Sequence, residues 1–147
     1  MATLAAPRIT ARTRTIVVEF VGTAFLLIAV VGSGIQAQRL SAGNTSLALL
    51  ENSAATGAAL IALILALGPI SGAHFNPVVT LVDIALGRRD RSDFLPYATA
   101  QVTGAIAGVF AANSMFGLPV ASIAHHSRSG FGLWLAEMLA TFGLIVV

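Results

Sequence analysis

The sequence contains no cysteine and no lysine, and only 10% of its 147 residues are charged. Without cysteine there are no disulfides, no thiolate metal sites and no cysteine nucleophile. A soluble domain carries about 25% charged residues, so this chain has too little charge to coat a water-facing surface. Its natural solvent is lipid. What replaces the missing charge is apolar: 56% of residues are hydrophobic and the mean hydropathy is +0.89. All eight basic residues are arginines, six of them in two clusters, Arg8/Arg12/Arg14 and Arg88/Arg89/Arg91. Eight arginines against six acids, spread between apolar runs, make no basic face, so nucleic acid is excluded as a partner despite a pI of about 10.5.

A transmembrane helix needs roughly 20 apolar residues to cross about 30 Å of hydrocarbon. Four stretches qualify or begin to: 16–34, 47–67, 94–116 and 133–147, preceded by a tail over 1–14. The first also resembles a secretory signal, but it contains Glu19, is longer than a usual signal core and is followed by no small-x-small cleavage site. It reads as a true span in an all-α membrane protein.

Between the second and third spans the chain is apolar but broken by Pro69, Gly72 and Pro77. In the half-helix expected over 76–86, the run from Pro77 to Leu86 is about 15 Å long, half a bilayer. Charge decides its path, because excess arginine stays on the cytoplasmic side. A segment that dips in and returns keeps both arginine clusters, and the N-terminus, cytoplasmic; a full crossing would put Arg88, Arg89 and Arg91 outside. The sequence therefore predicts a re-entrant half-helix, and irregular backbone at membrane depth is tolerated only where protein buries it or it lines a watery cavity.

An internal repeat supports this. Glu19 and Thr23 in the first span match Glu137 and Thr141 in the fourth, each pair at the i,i+4 spacing that shares one helix face. Intramembrane carboxylates are costly, so two at matching places predict a shared buried role. Three spans separate the two starting points, which gives the copies opposite orientations, an inverted repeat.

Asn76-Pro77 is a strong helix start: Asn is a preferred N-cap, and proline fits the first helical position because its missing N–H would be unpaired there. The half-helix aims its positive dipole end at mid-membrane, and the Asn76 amide has N–H donors to spare for a passing solute. A fixed positive end with a donor favours neutral hydrogen-bonding solutes and opposes cations and protons.

The run Ser71 to Thr80 (SGAHFNPVVT) resembles the first Asn-Pro-Ala loop of the aquaporin and aquaglyceroporin family. Glu19 with Gly22-Thr23 resembles that family's first span, Ala100-Gln101-Val102 with Gly104 its third, and Ala136-Glu137 the start of its second repeat. The resemblance covers about 15–147. It implies an aquaporin-like right-handed helical bundle, tetrameric when full length, in a bacterial inner membrane. It implies that Asn76 donates to the solute, that Gly72, Ala73 and His74 present backbone carbonyls along the pore, and that Glu19 and Glu137 accept hydrogen bonds from buried loops, with Gln101 a further buried structural residue. Two departures stand out. Val78 occupies a place where the family usually has alanine, adding bulk where half-helices would meet. Thr56, twenty residues before Asn76, stands where water-selective members carry an aromatic, which implies a wider constriction suited to glycerol-like polyols or neutral metalloid acids.

The fourth stretch is still apolar at Val147, so the chain is expected to be truncated in its fourth span, without a second half-helix or a pore arginine. Its partners are then the lipid bilayer and its own kind. No cofactor or metal is implied, and no nucleophile–base pair is spaced for catalysis. Two rivals remain: a non-conducting fragment, and a secondary carrier, which would need acids facing a central site. His125 and His126 read as a solvated outer loop, Gly104 and Gly108 as a close helix crossing, Trp134 as an interfacial anchor, and Asp83 as either solvated or paired with Arg88.

Overall fold

The computed structural model describes residues 10–121 and 129–146. These form five α-helices and one short 3-10 turn, with no strand among the described residues. Helix α1 spans Ala11–Leu40, α2 Thr45–Ser71, α3 Pro77–Ala85, α4 Phe94–Met115 and α5 Phe131–Val146, and the 3-10 turn Arg91–Asp93 leads into α4. Helices α1 and α2 extend beyond the apolar stretches that predict them, and their polar flanks carry caps. Thr10 accepts from the N–H of Thr13 at the start of α1, and Asn44 from the N–H of Leu47 at the start of α2. Pro69 lies in the last turn of α2, where its missing donor removes one bond of the ladder and the Gly72 N–H still closes the helix on the Gly68 carbonyl.

Three of these helices, α1, α2 and the turn-plus-α4 unit, are long and apolar enough to cross a bilayer, whereas α5 has 16 residues. The core is a bundle in which α1 packs against both α2 and α4, with α3 tucked against α4. Small residues set the α1–α4 distance. A Cβ added at Gly104 would run into the carbonyl of Phe20, and one at Gly108 into that of Ala24, so the backbones approach as closely as glycine allows.

Arg12 and Arg14 sit at the same end of this bundle as Arg88, Arg89 and Arg91. Arg12 donates to the Ser92 carbonyl at 2.9 Å and pairs with Asp93 at 3.1 Å, tying the start of α1 to the turn that precedes α4. The segment between α2 and α4 therefore leaves and returns on the same side. It is re-entrant, and α3, nine residues and about 14 Å long, is too short to cross.

One expectation fails. Glu137 was to be buried like Glu19, yet it is exposed and no residue of α5 is buried. α5 packs chiefly and lightly against α3, and among the described residues no second broken loop surrounds it. His125 and His126 lie outside the described residues.

Candidate functional site

The irregular backbone between α2 and α3 runs from Gly72 to Asn76. Gly72 closes α2 at φ 94°, a left-handed conformation natural to glycine, but Ala73 and Phe75 also stand at φ 50° and 49°. Side chains rarely adopt this region, and each such residue costs on the order of 1–3 kcal/mol unless its surroundings hold it.

Glu19 does the holding. Its Oε1 accepts from Ser71 Oγ at 2.6 Å and from the N–H of His74 at 3.1 Å; its Oε2 accepts from the N–H of Phe75 at 2.8 Å and from Gln101 Nε2 at 2.8 Å. The carboxylate is completely buried, which is tolerable because four donors replace its hydration. One turn along the same helix, Gly22 leaves the space that the Phe75 ring fills; a Cβ there would overlap that ring. The Glu19–Gly22 pair on α1 is thus the seat of the loop: one residue binds its N–H groups, the other accommodates its ring.

Gln101 on α4 extends the network. Its second N–H reaches Thr80 Oγ1 at 3.0 Å, and that hydroxyl donates to the Asn76 carbonyl at 3.2 Å and lies 3.0 Å from His74 Nδ1. Gln101 Oε1 is buried without a partner among the described residues. Because Gln101 touches both Glu19 and Thr80, α4 fixes the angle at which α3 leaves the loop.

The loop thereby presents two kinds of polar group. Asn76 caps α3, its Oδ1 accepting from the N–H of Val78 at 2.8 Å, with Pro77 at the first helical position. Asn76 Nδ2 makes no hydrogen bond among the described residues, so its donors remain open. The carbonyls of Gly72, Ala73 and His74 likewise accept no hydrogen bond there. Residues 72–76 border a cleft of about 250 Å³, whose other walls include Leu26, Leu60, Ile64, Val79 and, from α5, Leu144. Val78 does not line that cleft and is 47% exposed. Thr56 lies one turn before Leu60 on the i,i+4 row that continues to Ile64. It is not among the cleft residues, and its hydroxyl oxygen is buried without a partner among the described residues.

Sequence reasoning missed the clamp at the arginine end. Arg89 Nη2 donates to the Ser71 carbonyl at 2.9 Å, Tyr97 Oη donates to the same carbonyl at 3.0 Å, and Arg89 Nη1 donates to Tyr97 Oη at 2.7 Å. A positive guanidinium against the C-terminal carbonyls of α2 suits the helix dipole. Asp83 was expected to be solvated or paired with Arg88, which lies 3.9 Å away; it is nearer to His74 Nε2, at 3.3 Å, and to Arg89 Nε, at 3.8 Å. The one available signal was that Tyr97 is the sole tyrosine, at the polar edge of an apolar helix.

With this geometry in view, similarity to known proteins becomes interpretable. Residues 7–147 match the model of the major intrinsic protein family. An aquaglyceroporin, AqpS, of Rhizobium meliloti is 50% identical over 133 residues, covering 90% of this chain and 57% of the relative. A probable aquaporin of Arabidopsis thaliana, NIP7-1, is 32% identical over 87% of this chain and 46% of its own length. Aquaporin Z of Brucella melitensis is 39% identical over 60% of this chain and 38% of its own. The chain spans about half the length of the first two relatives.

Proposed function

Because the chain belongs to the major intrinsic protein family, and so is a multi-pass membrane protein, we propose that it supplies one wall of a passive channel for small uncharged solutes. Water, glycerol-like polyols and neutral metalloid acids are the class. The observation that carries this reading is the Asn76-capped tip of α3, with open amide donors beside three unaccepted carbonyls along one cleft. A neutral solute exchanges its water hydrogen bonds for these, donor by donor, whereas a cation meets the positive end of a helix. Both Glu19 oxygens are saturated by four donors within the protein, so this buried carboxylate is not available to couple ions, which argues against a carrier. No chemistry is assigned to the chain, and it acts as a channel element rather than an enzyme.

In this reading the arginine end faces the cytoplasm of a bacterial inner membrane. Thr56 sets a wider constriction than an aromatic would, subunits assemble as tetramers, and Val78 adjoins an opposing half-helix. A second reading is favoured by α5, of which no described residue is buried. A cleft without a complete wall conducts only inside a larger assembly, and the chain by itself is then inert.

Stopped-flow shrinkage of reconstituted vesicles tests both. Faster volume recovery in glycerol than in sucrose, diminished by Thr56→Trp more for glycerol than for water, supports the channel. Behaviour identical to empty vesicles, with the protein folded by circular dichroism, removes conduction by this chain alone.

A further inference from the structure

On the half of the bundle that holds Arg12, Arg14 and Arg91, α1 and α4 do not close completely on one another. They leave a groove of about 540 Å³, lined chiefly by Ile16, Val17, Phe20, Leu95, Pro96 and Thr99. It is an open face: Val17 is 50% exposed and Leu95 72%. Nothing in the conduction reading uses it, since it shares no lining residue with the cleft.

What distinguishes this groove from ordinary lipid-facing surface is the charge at its mouth. Arg12 stands one turn before Ile16, Arg14 three residues before Val17, and Arg91 four residues before Leu95. Side chains at the start of a helix lean back toward its N-terminus, so these guanidiniums extend out of the hydrocarbon toward headgroup depth. Arg12 is committed to Ser92 and Asp93 and braces the mouth. The side chains of Arg14 and Arg91 are exposed and make no hydrogen bond or ion pair among the described residues. The acids at this end are Asp83, Asp90 and Asp93. Asp83 is engaged by His74 and Arg89, and Asp93 by Arg12 and Arg89, so only Asp90 competes for the free arginines.

We propose that the groove binds an anionic glycerophospholipid of the adjoining leaflet, one acyl chain lying along Ile16–Phe20 and Leu95–Thr99 and the phosphate held between Arg14 and Arg91. Apolar length and paired cationic donors, at the correct depth for each part of the molecule, are the two features such a lipid requires.

Native mass spectrometry of the full chain released from micelles, titrated with phosphatidylglycerol and with phosphatidylcholine of identical acyl chains, reads the affinities. The wild-type chain retains phosphatidylglycerol more tightly, by roughly fivefold for each free arginine. Arg14→Gln with Arg91→Gln brings it down to the phosphatidylcholine level, and Thr99→Trp, which fills the groove, weakens both lipids. Equal affinities in the wild type overturn the proposal, as does a phosphatidylglycerol preference that survives the double substitution or is untouched by Thr99→Trp. Because the chain has no cysteine, Leu95→Cys gives a unique probe in the otherwise native protein. Its alkylation slows in vesicles containing phosphatidylglycerol if the proposal holds, whereas disulfide-linked dimers through it would put a second copy in the groove and overturn the lipid assignment.

Discussion

Glu19 and Glu137 occupy matching places in two helices of similar wording, yet one is buried and accepts four hydrogen bonds and the other lies exposed. The difference is not in the helices. Around Glu19 the chain has folded a loop whose N–H groups need an acceptor, a glycine at position 22 and a glutamine from α4. Around Glu137 the described residues provide only a light contact between α5 and α3. A carboxylate becomes structural when donors surround it, and the same carboxylate without them is a cost.

Several substitutions can break this contrast. Glu19→Ala strips four donors of their acceptor at a buried site and is expected to lower stability by about 3–5 kcal/mol, read as an earlier midpoint in denaturant unfolding of the micellar protein. Glu137→Gln in the same assay leaves the midpoint within about 0.5 kcal/mol, as exposed substitutions do. A loss at Glu137 equal to that at Glu19 would erase the contrast.

The glycines sharpen it further. Gly104→Val forces α1 and α4 apart at the Phe20 carbonyl and costs about 1–3 kcal/mol or more, whereas Gly143 in α5 has nothing within reach of a new Cβ, so Gly143→Ala gains about 0.5–1 kcal/mol of helix propensity. Thermal melts followed at 222 nm distinguish the two directions. Gln101→Leu leaves Glu19 and Thr80 each short of one donor and is expected to cost about 1–3 kcal/mol. Its solvent signature is faster amide exchange at His74 and Phe75, with α5 unaffected. Asn76→Ala is the mildest, about 1 kcal/mol for a lost cap, and fraying confined to the first turn of α3 is the outcome that fits.

Much of the site was legible beforehand, and the reasons are local. Asn76-Pro77 fixes a helix start by cap chemistry alone, and the structure begins α3 at Pro77. Two arginine clusters separated by two full spans and a broken segment require a same-side return, and Arg12 bonded to Ser92 and Asp93 meets that requirement. Phe75 was not legible, because no propensity favours a phenylalanine at φ 49°; that conformation exists only while Glu19 and Gly22 receive it. Arg89 was read as a topological charge, and its clamp on the Ser71 carbonyl depends on Tyr97 arriving from another helix. The repeat predicted two buried carboxylates and the fold delivers one.

By itself the sequence determined the solvent, the number and rough extent of the apolar helices, the break between α2 and α3 and the residue that caps it. Each of these is set by composition or by neighbours within a few positions. Only the tertiary structure decided which carboxylate is buried, which donors satisfy it, where the left-handed backbone is tolerated and which groups stay open toward the cleft. Burial and hydrogen-bond partnership belong to what packs around a residue, and the donors to Glu19 lie 52 to 82 positions away along the chain.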